Sequence, residues 1–533
     1  MSLEKITKIA NKIGISSDCL ELYGDFKAKI RPEVFEKVKD NKNGKLVLVT
    51  AITPTKAGEG KTTTSIALQD GLAKLNQKAL LCLREPSMGP VFGLKGGATG
   101  GGKVTIEPHE DINLHFTGDM HCLTSAINLI SACIDNHIYF GNELNIDPDR
   151  ILWKRAIDTN DRELRNITIG IGDKNGIERT DHFEITVASE LMAILCIASD
   201  ETDFVRRLNN IMIAYDKNGN PVYLKELKIT NAIMKIMKYA LWPNIVQTAE
   251  NNPCLVHGGP FANIAHGCSS LIATKLALKL SPIVITEAGF AADLGAEKFL
   301  DIKSRIGGLK PDMAVLVATI RALKMHGGQS FEDLNNENLD ALNEGIKNLK
   351  QHYFNLKKYG IPIVIAINHF ASDSKKEIEL LSNWCKENDI EYAFLDGFLN
   401  GGDGSIELAN KVLECLNTKA SNFKPIYELS NSIEEKIEII AKEIYHADGV
   451  EYTEKALKDI EAIKKLKKDN YVICMAKTPL SFSDNPKLLN VPENFKITVK
   501  EVKISNGAEF IVALLGSILT MPGLPKEPQA TKM

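Results

Sequence analysis

The stretch Gly58-Glu59-Gly60-Lys61-Thr62-Thr63-Thr64 lies between an apolar run, residues 46–49, and a helical pattern of apolar residues that starts near Thr62. A strand, a glycine-rich turn and a helix in this order are the setting of a phosphate-binding loop. The N–H groups of such a turn converge on one point, and the helix N-terminus adds partial positive charge. The stretch therefore predicts a nucleotide site in which Lys61 reaches the terminal phosphates and the Thr62 hydroxyl ligates magnesium.

The loop departs from two known patterns at one position each. Thr55 stands where the standard phosphate loop has glycine, and Ala57 stands where the ATPases with an additional signature lysine have glycine. The alternative is a glycine turn that only caps a helix. Because strand, Gly-Lys-Thr and helix occur in register, the sequence favours nucleotide binding. The expected ATP contacts form the phosphate loop, residues 55–63: Thr55, Lys56, Ala57, Gly58, Glu59, Gly60, Lys61, Thr62 and Thr63.

Length and composition narrow the class of protein. A chain of 533 residues is too long for one compact core and predicts about three domains. The net charge of −4 implies no broad cationic face, which argues against a nucleic-acid binder. The longest apolar runs are shorter than the roughly 20 residues that span a bilayer, and the N-terminus does not resemble a secretory signal. The ten cysteines show no paired spacing, which is typical of buried thiols in a reducing compartment. We expect a soluble, cytoplasmic protein that binds neither nucleic acid nor membrane.

Short apolar runs alternate with helical patterns along most of the chain, which is typical of a parallel sheet flanked by helices. The last third changes character, with a charged helical region followed by runs at 471–475, 495–502 and 510–515 that read as strands. We expect an α/β fold: a mostly parallel sheet flanked by helices with a phosphate-loop nucleotide site, plus smaller α/β domains in the C-terminal third. The expected domains are residues 1–362, 363–455 and 456–533.

Two groups of residues follow the apolar run 79–83. Residues just past the end of a parallel strand line the ligand crevice, so Arg84 and Glu85 are expected beside the phosphate loop. The alternative for Arg84 is a structural ion pair with Glu85 or another acid. The glycine-rich segment, residues 93–103, also carries Lys95 and Lys103. It is either a mobile lid or a place where the backbone approaches a ligand closely.

Two further features allow two interpretations each. Asp119 and His121 open a helical pattern, where they would either bind substrate or cap the helix. The proline-rich residues 520–525 either form a fixed wall for a flat ligand or pack as an edge segment.

Several stretches together resemble formate–tetrahydrofolate ligase, and they run from near the N-terminus to the end of the chain. They are residues 55–64, 84–90, 184–193, 320–328 with the string Arg-Ala-Leu-Lys-Met-His-Gly-Gly, 481–484 and 520–525. The resemblance implies ATP-dependent ligation of formate to tetrahydrofolate through formyl phosphate, giving formyl-tetrahydrofolate, ADP and phosphate in one-carbon metabolism. It also implies magnesium with the ATP, activation by a monovalent cation, and a homotetramer.

The same resemblance implies roles for the candidate residues. The expected catalytic residues are Lys61, Arg84 and Glu85, with Arg84 as a bidentate clamp on formate and then on the acyl phosphate. The candidates near formate or formyl phosphate are Arg84, Lys61, Asp119 and Phe290, and those near adenine, in the C-terminal domain, are Met521, Pro522 and Leu524.

The expected folate pocket, in residues 363–455, departs from the family pattern. Phe370 matches the first of two aromatic rings that hold the pterin in the family, and Phe398 stands where a tryptophan is expected. A pterin can stack on Phe398, but with less contact area than on tryptophan. Residues 368–374 also lack the usual arginine and threonine. Packing in the core is the alternative for either phenylalanine.

Two other functions compete with this one. A partner-regulating ATPase of the signature-lysine type is favoured by Lys56, but not by the matches outside the loop. An inactive homologue that only binds ligands is disfavoured because Lys61, Thr62, Arg84 and Glu85 are all present.

Overall fold

The computed structural model describes residues 2–262, 265–516 and 518–532. Its largest element is a twelve-stranded sheet, in which ten strands form one path and two more, Gly100–Gly101 and Val104–Glu107, join it at Asn244–Thr248. From one edge, the path is Leu20–Leu22, Ala28–Ile30, Asn244–Thr248, Pro253–Val256, Ala79–Leu83, Ile283–Glu287, Lys45–Ala51, Met313–Ala318, Ile363–Asn368 and Tyr392–Leu395.

The strands from Pro253–Val256 to Tyr392–Leu395 are all parallel. Lys45–Ala51 is their central strand, between Ile283–Glu287 and Met313–Ala318. The α/β class and the mostly parallel sheet are therefore confirmed. Ligands of such sheets bind beyond the carboxyl ends of the strands, at the point where neighbouring connections leave toward opposite faces of the sheet. We call this side of the sheet the carboxyl edge.

Helices cover both faces of the central strand. Val47 and Val49 pack on one face with the helix Lys61–Lys74, while Leu46 and Leu48 pack on the other face with the helix Leu271–Leu280. Apolar residues at every position suit a strand that is buried on both sides. This burial holds the end of the strand, and the phosphate loop after it, in a fixed place.

The other helices are Ile6–Lys12, Glu33–Val38, Met88–Pro90, His109–Asn113, Asp119–Tyr139, Glu190–Ile197, Glu201–Asn209, Thr230–Met237, Arg305–Gly307, Ile320–His326, Leu339–Lys357, Lys375–Glu387, Gly397–Asn400, Ile406–Thr418, Ile433–Glu443 and Glu454–Lys465. Wider, π-helical turns occur at Val91–Lys95, Ala292–Ala296 and Phe299–Ser304. Tight 3₁₀ turns occur at Ser17–Cys19, Arg162–Arg165, Thr186–Ala188, Leu224–Leu227, Gly401–Ser405 and Gln529–Thr531.

Residues 119–241 build a second apolar core around the helices Asp119–Tyr139 and Glu190–Ile197. Their short strands are Ile146–Ile151, Arg155–Ile157, Ile167–Ile169, Arg179–Asp181, Phe183–Ile185, Met212–Asp216 and Pro221–Tyr223. The C-terminal sheet packs against this core and has the order Gly449–Tyr452, Lys496–Ser505, Phe510–Leu515, Val472–Ala476.

The two expected domain boundaries fall inside sheets. The main sheet continues across residue 362, because Ile363–Asn368 and Tyr392–Leu395 are its last two strands. Residue 455 follows Gly449–Tyr452, the first strand of the C-terminal sheet. Within the described ranges, no helix has both the length and the apolar character needed to cross a membrane.

Candidate active site

The phosphate loop connects the central strand to the helix Lys61–Lys74 at the carboxyl edge. Gly58 and Gly60 have φ angles of 72° and 71°, in the left-handed region that favours glycine. A Cβ atom on Gly60 would lie 2.3 Å from the side-chain nitrogen of Asn368, at the end of a strand two places away. Glycine is therefore required here both by the dihedral angle and by the space.

Thr55, which stands where the standard pattern has glycine, forms hydrogen bonds within the loop. Its backbone N–H and its hydroxyl donate to the Glu59 carboxylate, at 2.7 and 3.1 Å. Burial raises the pKa of Glu59 to about 7, against the opposing effect of these hydrogen bonds. The loop is thus closed on itself by side chains of its own.

The ammonium group of Lys61 is held by backbone carbonyls of the turn that follows the neighbouring strand Ile283–Glu287. It donates to the carbonyl of Ala288 and, at 3.0 Å, to that of Phe290; we call residues 288–290 the capping turn. Phe290 has a φ of 57°, which is unusual for an aromatic residue. Burial lowers the pKa of Lys61 to about 8, with Glu287 opposing this shift. Phe290 therefore lies beside Lys61, and its expected contact with formate or formyl phosphate stays a prediction.

Thr62 contacts an acid that the sequence analysis gave no role. Its hydroxyl donates to the Glu287 carboxylate at 3.0 Å. Glu287 is the last residue of the strand next to the central one, so it emerges at the carboxyl edge beside the loop. A hydroxyl and a carboxylate are oxygen ligands of the kind that magnesium prefers. The available signal for Glu287 was its position at the end of a predicted parallel strand.

Arg84 lies against the capping turn. A Cβ atom on Gly289 would be 3.0 Å from one terminal nitrogen of its guanidinium, and that nitrogen donates to the Pro260 carbonyl at 3.4 Å. The Nε atom is buried and makes no hydrogen bond. In the described part of the chain, no carboxylate oxygen lies within 4.0 Å of the nitrogen atoms of this guanidinium.

Glu85 and Asp119 lie in a separate buried cluster. The ammonium of Lys29 is 2.7 Å from an Asp119 carboxylate oxygen, with the two side chains 0% and 2% exposed, and the Asn244 amide donates to Asp119 at 2.8 Å. Burial raises the pKa of Glu85 well above its usual value, and the charge of Asp119 adds to this shift. Asp119, expected near the formyl group, is thus engaged by Lys29, Asn244 and Glu85.

The carboxyl edge therefore brings together a glycine-rich loop, a lysine, a threonine–glutamate pair and an unpaired arginine. The sequence model of the family described as formate–tetrahydrofolate ligase matches residues 1–533, which is the whole chain. The chain belongs to the formate–tetrahydrofolate ligase family. It is accordingly a ligase of one-carbon metabolism whose substrates include formate and tetrahydrofolate.

In this ligase, Phe370 and Phe398 follow neighbouring strands and emerge at the same edge as the phosphate loop. The guanidinium of Arg321 lies over the Phe370 ring, 5.1 Å from its centre. Phe398 is 51% exposed, and its ring lies 3.2 Å from where a Cβ atom on Gly101 would be. The exposure of Phe398 argues against the core-packing alternative for this residue.

The C-terminal residues of the ligase are fixed by their backbone. Arg165 donates to the carbonyl of Met521 at 2.9 Å, and Arg162 donates to the carbonyl of Leu524. Pro522 lines a cavity of about 780 Å³ together with Phe261. Phe261 directly follows Pro260, whose carbonyl accepts from Arg84, so one residue that lines this cavity is next in sequence to a residue that contacts the arginine.

Proposed function

We propose that the enzyme activates formate with ATP in the site around Lys61 and Arg84. Formate is a poor acyl donor, because its leaving group would be hydroxide or oxide. Attack of a formate oxygen on the terminal phosphorus of ATP releases ADP and gives formyl phosphate. The folate amine then attacks the formyl carbon, and phosphate leaves.

The guanidinium of Arg84, which forms no ion pair within the described residues, carries this proposal. Its guanidinium is largely enclosed, has an unpaired Nε–H group, and lies against the turn that holds the Lys61 ammonium. A planar, bidentate donor beside a lysine suits a carboxylate and the phosphoryl group it receives. Catalysis of phosphoryl transfer is largely positioning and charge stabilisation, so these two residues can carry most of the task.

Magnesium fits beside the loop. The Thr62 hydroxyl and the Glu287 carboxylate would hold it, and when bound the ion would neutralise charge on the phosphate oxygens. Activation by a monovalent cation remains a prediction from the resemblance, because the Lys29 ammonium already occupies the place beside the Asp119 carboxylate.

The other substrates have their places in this proposal. The adenine lies in the cavity lined by Pro522, near Met521 and Leu524. The pterin stacks on Phe370 and Phe398 at the same carboxyl edge, which brings the folate amine toward the formyl group. The homotetramer and the cytoplasmic location remain predictions from the resemblance and from composition.

A coupled assay tests the proposal. ADP release should require both formate and tetrahydrofolate, and formyl-tetrahydrofolate should form in equal amount. Formate labelled with ¹⁸O in both oxygens should deliver one labelled oxygen to inorganic phosphate, because a formate oxygen attacks phosphorus. Sustained ADP release without formate, or unlabelled phosphate, would show that formate is not activated in this way. Release that depended on a protein partner would favour the signature-lysine ATPase instead.

A further inference from the structure

Two stretches that carry the family resemblance, residues 320–328 and 481–484, have no role in the function proposed above. Each contributes a side chain to a buried group of residues that we call the Thr53 cluster: Thr53, His326, Asn348, His352 and Phe482. Thr53 is the second residue after the central strand and lies two residues before the phosphate loop. The backbone at Thr53 therefore sets where the loop begins.

His326 and the helix Leu339–Lys357 hold Thr53 in place. The Nε2 atom of His326 lies 2.8 Å from the Thr53 carbonyl oxygen, and since a carbonyl oxygen only accepts, Nε2 donates. Asn348 accepts from the Thr53 backbone N–H at 3.3 Å and donates to the Thr53 hydroxyl oxygen at 3.1 Å. One helical turn later, the Nε2 atom of His352 lies 2.9 Å from the same hydroxyl. Side chains thus engage both backbone polar groups of Thr53 and its hydroxyl.

The two residues of this helix also contact the C-terminal region. Asn348 donates to the carbonyl of Asn490 at 3.0 Å with the same amide nitrogen. The ring of His352 packs on that of Phe482, with the ring centres 4.5 Å apart. One amide group therefore joins Thr53 to Asn490, and one imidazole joins Thr53 to Phe482.

Asn490 and Phe482 belong to residues 478–490, which we call the cavity segment. Five residues of this segment line the cavity of about 780 Å³ in which the proposed function places adenine: Thr478, Pro479, Asp484, Asn485 and Pro486. The hydroxyl of Ser483, next to Phe482, donates to the carbonyl of Asn485 at 3.0 Å. The Thr53 cluster therefore contacts the start of the phosphate loop on one side and the segment that lines the cavity on the other.

We propose that Asn348 is a positioning residue that couples occupancy of the adenine cavity to the arrangement of the phosphate loop. This inference rests on the function proposed above, which places adenine in that cavity. A base in the cavity holds the cavity segment in place, and Asn348 passes this restraint on through its hydrogen bonds with Asn490 and Thr53. The phosphates of ATP then meet a loop that is already ordered, so less of their binding free energy is lost in ordering it.

The ratio of the affinity for ATP to the affinity for inorganic tripolyphosphate measures this coupling. Both ligands bring a triphosphate chain to the loop, and only ATP carries a base for the cavity. A change that merely loosened the loop would weaken both ligands equally and leave the ratio unchanged. Asn348→Leu should lower the ratio about fivefold or more, which is the lower end of the range for coupled sites. Titration calorimetry with magnesium present gives both affinities.

Asn355→Leu is the matched control. Asn355 is a buried asparagine of the same helix, but its amide donates to the carbonyl of Ile444, at 2.7 Å. Its ratio should equal that of the unchanged protein.

A second pair of variants tests the cluster if Asn348→Leu does not fold. Thr53→Val removes the hydroxyl that contacts both Asn348 and His352, and it should lower the ratio in the same direction. Thr53→Ser keeps the hydroxyl and should restore the ratio. Ratios in Asn348→Leu and Thr53→Val equal to that of Asn355→Leu would overturn the coupling.

The unchanged protein separates this inference from the proposed function. If it binds ATP no more tightly than tripolyphosphate, the proposed adenine cavity fails, and the coupling fails with it. If it binds ATP more tightly and Asn348→Leu keeps the full ratio, the coupling alone fails. If it binds ATP more tightly but makes no formyl-tetrahydrofolate, the proposed ligation fails, and the affinity ratio still decides the coupling.

Discussion

Replacing Lys477 by methionine should destabilise the contact between the C-terminal sheet and the turn beside the nucleotide site. Lys477 follows the strand Val472–Ala476, and its ammonium lies 2.8 Å from a carboxylate oxygen of Asp293. It also donates to the carbonyls of Thr478 and Ser481. Asp293 belongs to the turn Ala292–Ala296, which begins two residues after Phe290, one of the residues that hold Lys61.

The free-energy cost of this substitution follows from the burial of the Lys477–Asp293 ion pair. The side chains of Lys477 and Asp293 are 0% and 2% exposed, and Glu297 is fully buried beside them. Removing one partner of such a pair leaves an uncompensated buried charge and costs about 3–5 kcal/mol. Replacing both partners, as in Lys477→Met with Asp293→Leu, should recover most of this loss, because neither charge remains to be buried.

Hydrogen exchange measures this loss locally, which suits a long chain whose unfolding need not be two-state. A loss of about 3 kcal/mol should lower the protection of Val472–Ala476 about 150-fold if this strand opens as one unit. Lys496→Met is the control, since Lys496 pairs with Glu451 on the same sheet with side chains 57% and 58% exposed. Such a pair is worth about 0–1 kcal/mol. Protection in Lys477→Met equal to that of this control would refute the reasoning.

Three further predictions concern the proposed chemistry. Arg84→Ala should lower turnover by about 10³–10⁵-fold, by analogy with arginine fingers, and near-normal turnover with formate would exclude the clamp. Phe398→Ala should weaken tetrahydrofolate binding much more than ATP binding in equilibrium titrations; equal effects on both would remove the stacking role. ATP affinity should fall as the pH rises through about 8, because Lys61 then loses the proton that its contact with phosphate requires. A flat affinity between pH 7 and 9.5 would contradict this role.

The elements that depend on local sequence could be predicted. The strand, the glycine-rich turn and the helix at residues 46–75 are each encoded by neighbouring residues. The alternation of apolar runs with helical patterns is also a local signal, and it is enough to indicate a parallel sheet. Phe510–Leu515 occupies the predicted residues, and the expected strand at 495–502 extends to Lys496–Ser505.

Contacts between distant residues could not be predicted in this way. Nothing near Thr62 indicates that Glu287 ends the adjacent strand, because strand order depends on how the whole chain packs. The same applies to Lys29 and Asp119, which meet in the interior from separate parts of the chain. Lys95 was seen in a run of glycines, whose composition hides the fixed contacts that the folded segment makes.

The strand Ile283–Glu287 lies between two strands that are synthesised long before it, Lys45–Ala51 and Ala79–Leu83. A nascent chain that has left the ribosome only as far as residue 280 carries both Lys61 and Arg84 but lacks the strand that spaces them. Each of the two earlier strands then exposes an unpaired apolar border, which is prone to wrong pairing. Fragments that stop before residue 283 should therefore be unable to assemble the catalytic centre. The phosphate loop and Arg84 reach their relative positions only after this strand has been synthesised and has paired with both earlier strands.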